Sequence, residues 1–438
     1  MQSRFKIFSD PVHGFVSVPK GLPLALVEQP EVQRLRRIRQ LGLGHLVFPG
    51  AEHSRFVHAL GAMALMQEAL TTIEQKGTPV SSEEREAALA VALLHDVGHG
   101  PFSHTLEHDL IGAGRRGRFH HEQMSRALIA RLDRRLGGRL ALALEIFDGT
   151  YGRPFFHQLV ASQLDVDRLD YLRRDSFFTG VAEGMVGVAR LIKTMRVHPE
   201  EGGADSGLVI EAKGSYAVES FLLSRRVMYW QVYLHKTVIA ADHLLRAAFR
   251  RAKACCETGA LEDAGPALRY FLEAQPTADT LAGPEREALL DRFCDLDDPE
   301  VLYSLKRWSH SADPVLAGLS RRFLNRDLFR TALLPREPAA ADVERWREQV
   351  AAWLRSEGLT EEEAEEAAPL YVQVGASQLA AYDPRRAPIR ILERGGHVRE
   401  LSEADGVATA NALSGRARQV YVCYPKQVEL ALEPAWFG

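Results

Sequence analysis

Residues 88–108, ALAVALLHDVGHGPFSHTLEH, form an apolar run that ends in His95 and Asp96 side by side and continues through His99, His104 and His108. An imidazole nitrogen beside a hard carboxylate oxygen suits a divalent metal able to polarise phosphate oxygens and acidify water. Two other stretches offer ligands of the same kind, His58 in SRFVHALG and Asp167 in QLDVDRLDYLRRD. Taken singly, His58 reads as a satisfied core histidine and Asp167 as a surface carboxylate in an ion pair. Taken with His95 and Asp96 they make a two-His, two-Asp set that leaves positions for water and substrate. Fe, Mn, Mg, Zn and Ni all suit such donors, and the donor types do not choose among them.

Helices must position these groups, because facing helices are where bundles build metal sites. The apolar periodicity predicts a helix over 31–41 with Val32, Leu35, Ile38 and Leu41 inward and its arginines outward. A second begins near Ser54 and carries His58, and a third, capped by Ser82, delivers His95 and Asp96. HHEQMSRALIARL reads as helix, residues 155–180 as one helical stretch around Asp167, and 216–254 as one long helix. Ala/Glu/Arg-rich 339–368 reads as a solvated helix. Short extended segments flank a turn at 11–14, a hairpin is inserted between 197 and 213, and YVQVGA, APIRIL, HVREL and RQVYVCY alternate as strands do. The expected fold is mainly α, a helical bundle with a short β-hairpin insertion and a small C-terminal α+β subdomain. The expected units are 1–335, with its core at about 45–180, and 336–438.

With 438 residues, 46% hydrophobic and 26% charged, the chain has ample material for a large core. A net charge of −4 gives no global attraction to nucleic acid or to an anionic membrane, and no long basic stretch is interleaved with aromatics. No apolar run is expected to span a membrane, the N-terminus has no signal-like apolar segment, and the four cysteines form no CxxC pair. These features fit a cytoplasmic protein.

The order H…HD…D, with SRFVHALG, HDVGHGPFSH, HEQ and QLDVDRLDYLRRD, resembles the HD-domain phosphohydrolases. Within them it is most similar to the deoxynucleoside triphosphate triphosphohydrolase (dNTPase) branch, through DPVHG, RLRRIRQLGLGHLVFPGAEHSRF and RRVMYWQVYLHK as well. The sterile-alpha-motif domain of the branch's animal member has no counterpart in these residues. The resemblance implies an HD-domain bundle and metal-dependent hydrolysis of dNTPs to deoxynucleoside and inorganic triphosphate. It implies that His58, His95, Asp96 and Asp167 hold the metal. His99, His104 and His121 would face the scissile phosphate, with His104 the proton donor, Glu107 orienting it where the family has an Asp, and Glu122 supporting His121.

By the same resemblance Arg55, Arg168 and Arg225 bind the triphosphate, Arg168 standing where the animal member has a Lys. Tyr171 lies against the sugar, Gln40 and Asp175 at the 3′-hydroxyl with Leu41 beside them, and Tyr233 near the base or sugar. Tyr229 replaces a substrate-contacting His. GTP or dNTP effectors and homo-oligomerisation, as dimer or tetramer, are implied too. Lys6, Gln33 and Arg36 match one effector pocket, and Lys213, His235 and Lys236 a second. Glu28, Ser9, Glu211 and Ala217 depart from the pattern, and a carboxylate facing a triphosphate repels it. Two alternatives stay open: hydrolysis of another nucleotide (a monophosphate, or a modified or cyclic one), and a nucleotide-sensing protein with a vestigial site.

Overall fold

The computed structural model describes residues 4–103, 105, 120–199, 206–261, 263–379, 381–403 and 417–432. Strands β1 (Phe5–Asp10) and β2 (Gly14–Pro19) form an antiparallel N-terminal hairpin. Short helices α1 (Leu22–Val27) and α2 (Pro30–Arg34) lead to α3 (Arg55–Gln75) and α4 (Ser82–Leu94). Then come α5 (His121–Arg135), α6 (Ala141–Asp148), α7 (Phe155–Gln158) and α8 (Val166–Thr179). After α9 (Val188–Thr194), strands β3 (Met195–Pro199) and β4 (Ser206–Glu211) precede α10 (Ser215–Met228) and α11 (Lys236–Glu257). Five helices follow, α12 (Pro266–Ala274), α13 (Ala278–Ala282), α14 (Arg286–Asp295), α15 (Asp298–Trp308) and α16 (Pro314–Leu324). The C-terminal part contains β5 (Arg330–Leu334), α17 (Ala340–Ser356), α18 (Glu361–Tyr371), β6 (Gln373–Leu379), β7 (Arg390–Leu392), β8 (Val398–Glu400) and β9 (Ala417–Tyr424).

Helix α3 is the centre of the bundle. Its length and composition would let it cross a membrane, contrary to the expectation that no run would, but it is mostly buried inside the protein. It is apolar on nearly every side because α4 and α8 pack on it from different directions. Leu60, Met63, Met66 and Leu70 are among its buried side chains, each worth about 1.5–3 kcal/mol on burial. Gly61 lets α8 come close: a Cβ there would lie 1.9 Å from Asp170 Oδ1 and 2.5 Å from Arg174 Nη2.

Several expected helices are interrupted, each for a local reason. The helix expected over 31–41 stops at Arg34 and gives way to a 3-10 turn, because the backbone beyond it bonds elsewhere. The Arg55 N–H donates to the Ile38 carbonyl at 2.9 Å, and the Gln40 N–H to that of His53 at 2.9 Å. Arg34 itself is buried rather than outward, donating to the carbonyls of His99 and Leu296, each at 2.9 Å. Helix α4 is capped by Ser81, not Ser82. Ser81 Oγ accepts the Glu84 N–H at 3.1 Å, and Glu84 accepts the Ser81 N–H at 2.7 Å, a reciprocal box. The 155–180 stretch breaks before Asp165, whose carboxylate caps α8 by accepting the Arg168 N–H at 2.8 Å.

The expected 216–254 helix is split by a π-helical turn at Tyr229–Tyr233, after which His235 Nδ1 caps α11 by accepting the Thr237 N–H. The solvated helix expected at 339–368 is two helices packed on each other, with Trp346 and Val350 buried between elements.

The inserted hairpin is present as β3 and β4, but it does not simply protrude. β4 pairs in parallel with β7, giving a four-stranded sheet β3-β4-β7-β8. A second sheet, β5-β9-β6, is wholly antiparallel. Both sheets therefore join strands from either side of residue 335.

Candidate metal centre

Three helices bring the ligands together. His58 comes from the first turn of α3, His95 from the C-terminal end of α4 and Asp167 from the first turn of α8. Their ligand atoms all lie within 4.8 Å of one another. Asp167 Oδ1 is 3.2 Å from His58 Nε2 and 3.5 Å from His95 Nε2. The Asp96 carboxylate stands 3.5 Å from each of the same two nitrogens.

The outer side of each ring settles its tautomer. His58 Nδ1 donates to Asp170 Oδ2 at 2.8 Å, and His95 Nδ1 to the Ala92 carbonyl at 2.8 Å. Each ring therefore turns its Nε2 inward, and each Nε2 is buried with no hydrogen-bond partner. Two buried, unpartnered ring nitrogens facing two carboxylates are costly in a protein interior unless a cation completes them. The residues present fit a divalent metal. Burial alone would lower the His58 pKa, but the carboxylates of Asp167, Asp170 and Asp96 around the ring push it up to about 10. Burial likewise opposes charge on Asp167, yet both rings hold it well below the usual carboxylate range.

Asp170 was not anticipated from the sequence. It is fully buried and also accepts from Arg174 (Nε 2.8 Å, Nη2 3.0 Å) and His13 Nε2 (2.5 Å). Arg174 bridges on to Asp10 at 2.8 Å, and Asp10 Oδ1 accepts the N–H groups of Val12 and His13 at 2.9 and 2.8 Å. The DPVHG turn of the N-terminal hairpin is thus part of the support of His58. The spacing Asp170–Arg174, an (i, i+4) acid–base pair one turn after Asp167, was the available signal.

His99 sits beside Asp96, with Nδ1 3.3 Å from Oδ1, and stacks on His121 at 4.0 Å. Burial and the nearby Arg55 guanidinium hold its pKa well below the ordinary value, so its ring is neutral. Gly98 brings α5 to this place: a Cβ there would lie 2.2 Å from the Ser125 nitrogen, and its N–H donates to Ser125 Oγ at 2.9 Å. Glu122 is exposed beside His121. His104, Glu107 and His108 lie outside the described residues. The turn leading to His104 is strained, with φ of 51° at Phe102 and 60° at Ser103. It is held by Asp298, which accepts the Phe102 N–H at 2.8 Å, and by Ser103 Oγ, which donates to the Arg39 carbonyl at 2.8 Å.

The phosphate-binding candidates are grouped unevenly. Arg55 is buried and paired with Asp96, and its Nε donates to Ser103 Oγ at 3.1 Å. Arg168 pairs with Asp165, Arg225 Nη1 donates to the Ala381 carbonyl at 3.2 Å, and both bury an unpartnered Nε. Among the nucleoside-binding candidates, Tyr171 packs edge-on to Tyr233 at 6.0 Å and Tyr233 to Tyr229 at 5.0 Å. The Tyr233 hydroxyl donates to Asp175 Oδ2 at 2.8 Å. His53, which sequence reasoning did not single out, holds the other oxygen of Asp175 at 2.7 Å. Gln40, its Oε1 buried and unpartnered, donates its backbone N–H to the His53 carbonyl, and Leu41 follows it.

The effector candidates are mostly engaged. Lys6 faces Glu28 at 3.7 Å, and Gln33 Oε1 accepts from Arg36, which lies over Phe56. Lys213 pairs with Glu211 at 2.7 Å, His235 caps α11, and Lys236 opens that helix.

A helical bundle that converges H…HD…D from three helices around unpartnered imidazole nitrogens is that of a metal-dependent hydrolase. Residues 50–174 match the HD domain and 186–263 the HD associated region. A phosphohydrolase of Bacteroides thetaiotaomicron superposes with a TM-score of 0.86 at 40% identity, covering 96% of this chain and 99% of that one. The uncharacterized protein YwfO of Bacillus subtilis is 32% identical over 97% of this chain and 93% of its own length. The deoxynucleoside triphosphate triphosphohydrolase SAMHD1 homolog of Dictyostelium discoideum is 30% identical over 56% of this chain and 49% of its own. The chain spans about half the length of the curated triphosphohydrolases it matches. The chain belongs to the HD-domain phosphohydrolases and is related to their dNTPase branch.

Proposed function

We propose that the protein hydrolyses deoxynucleoside triphosphates, with water adding to the α-phosphorus and the bond to the 5′-oxygen breaking, to give deoxynucleoside and inorganic triphosphate. One observation carries this reading. Helix α8 holds Asp167 and Arg168 at the metal centre and, one and two turns further on, Tyr171 and Asp175, the latter locked to Tyr233 at 2.8 Å. A phosphate-facing end and a tyrosine-walled, hydroxyl-binding end on one rigid helix suit a nucleotide lying along it.

His58, His95, Asp96 and Asp167 would hold the metal, which when bound polarises phosphate oxygens and lowers the pKa of water. Arg168 and Arg225 meet the triphosphate with forked donors suited to paired phosphate oxygens, and Arg55 joins them from Asp96. His99 and His121 lie beside the scissile phosphate, with Glu122 supporting His121. His104, oriented by Glu107, gives its proton to the leaving 5′-oxygen. Tyr171 crowds the sugar where a ribonucleotide carries its 2′-hydroxyl, while Asp175 and Gln40 take the 3′-hydroxyl and Leu41, Tyr229 and Tyr233 line the nucleoside.

Activation by a nucleotide within a homo-oligomer is part of the proposal, with effector identity altered. Glu28 beside Lys6 and Glu211 beside Lys213 would each have to be displaced by an effector triphosphate.

The test is to incubate metal-loaded protein with each dNTP, singly and mixed, and to separate products by anion exchange. Inorganic triphosphate is the expected product, lost in Asp96→Ala together with metal. Pyrophosphate plus monophosphate, or turnover confined to monophosphates or cyclic nucleotides, refutes the reading.

A further inference from the structure

The cavity beside the metal centre has a wall that the HD core does not build. Its volume is about 590 Å³; His95, Asp96, Asp167, Arg168 and Arg225 line one side, and Asp383 and Arg386 come from the segment between β6 and β7. That segment is latched in place. Gln163, four residues before Asp167, gives it all of its amide. Nε2 donates to the carbonyls of Asp383 (2.7 Å) and Ala387 (2.5 Å), and Oε1 accepts the Asp383 N–H (2.8 Å). Arg225 adds its bond to the Ala381 carbonyl. Tyr382 is fully buried beneath the turn, its hydroxyl accepting the Ile389 N–H at 2.9 Å and bonded to Glu400. Within the turn the Arg386 and Ala387 N–H groups donate to the Asp383 carbonyl at 3.2 and 3.3 Å, and Asp383 Oδ1 accepts the Arg385 N–H at 3.2 Å.

Arg386 is what this latched turn displays. Its guanidinium has no carboxylate or hydrogen-bond partner among the described residues. The other two arginines of the cavity bury an Nε without a partner. The carboxylates on the lining are Asp96 and Asp167 at the metal centre, Glu122 beside His121, and Asp383 on the turn itself. Donors that lack protein acceptors around one cavity call for an anion with several oxygens, and planar forks at different angles suit successive phosphates better than one carboxylate.

We propose that Arg386 is a substrate-binding residue that grips the phosphates of the polyphosphate tail farthest from the nucleoside, so that the active site is completed by the C-terminal part of the chain. This rests on the triphosphate reading above and extends it to a residue outside the HD core. The contact is made equally in the bound substrate and the transition state, so it governs binding more than the chemical step.

The experiment is direct binding of inorganic triphosphate, and separately of inorganic phosphate, to metal-loaded wild type, Arg386→Ala and Arg386→Lys, by calorimetry, alongside dNTP kinetics. Loss of one charge-assisted contact predicts triphosphate binding weaker by about tenfold in Arg386→Ala, partial recovery in Arg386→Lys, and little change for single phosphate. KM for dNTP rises by a similar factor while kcat changes less. The thermal midpoint without ligand stays that of wild type, since Arg386 supports no other group. Equal triphosphate affinity in wild type and Arg386→Ala overturns the inference, whether or not dNTPs are hydrolysed. If wild type releases no triphosphate from dNTPs but loses triphosphate affinity on Arg386→Ala, the dNTPase reading falls and Arg386 stands as a polyphosphate-binding residue.

Discussion

Replacing Gly61 by Ala sets two physical terms against each other at one atom. In an ordinary helix interior the change stabilises by about 1 kcal/mol, because Ala orders more cheaply than Gly. Here the added Cβ would lie 1.9 Å from Asp170 Oδ1 and 2.5 Å from Arg174 Nη2, both on fully buried side chains. Neither is a free end that can swing away, since Asp170 also holds His13 and His58 and Arg174 also holds Asp10. Relief therefore requires parting a buried ion pair, at about 3–5 kcal/mol. The net expectation is a loss of about 2–4 kcal/mol, a large share of the stability of any domain. Thermal and urea unfolding of wild type, Gly61→Ala, Asp170→Ala and the double variant measure it. The cost of the Cβ should shrink sharply once Asp170 is Ala, because its nearest contact is gone and Arg174, released from Asp170, can move aside. A Gly61→Ala protein as stable as wild type, or the same cost in both backgrounds, would refute the close approach of α3 and α8.

Four further outcomes are expected. Metal binding near neutral pH should release a proton, since His58, pushed up to about 10, is protonated without metal and must be neutral to ligate; calorimetry in buffers of different ionisation enthalpy reads this. With its folded pKa above the usual 6.5, His58 contributes stability that is complete below pH 6.5 and lost as pH rises through about 10, so the thermal midpoint of metal-free protein should fall over that window and that of metal-loaded protein should not. Burial pushes Asp298 up to about 6, so its contribution is complete below the unfolded value of 3.8 and lost as pH rises through 6. Asp298→Asn should therefore gain roughly 2 kcal/mol relative to wild type between pH 4 and pH 7, and a constant difference in urea unfolding would contradict it. Finally, Tyr171→Ala should narrow the preference for dNTPs over NTPs by about tenfold in kcat/KM, scored by competing the two substrates.

The His58, His95 and Asp167 cluster was legible because metal chemistry constrains residue type, and each stands at a helix end or first turn that the periodicity reveals. The supporting groups were harder to see. Nothing in DPVHG announces that His13 reaches a carboxylate on α8, a contact between residues 157 apart. Helix existence was read well and helix continuity badly. Period alone cannot show that the backbone after Arg34 will bond to the segment before α3, or that Tyr229–Tyr233 adopts a π turn. The C-terminal strands were recognised from their alternation, but which strand they join is a long-range pairing, and β4 with β7 is one such case.

The latch between Gln163 and the Asp383 turn also bears on how the protein is made. The two residues are 220 positions apart, so the helices that carry the metal ligands leave the ribosome well before the wall of their cavity exists. Domains form from the N-terminus as synthesis proceeds, and distant contacts close last. A nascent chain can therefore assemble its metal centre while the far end of the cavity is still open to water. Hydrolysis would begin only when the final strands have emerged and paired, which delays activity until the C-terminal part is made.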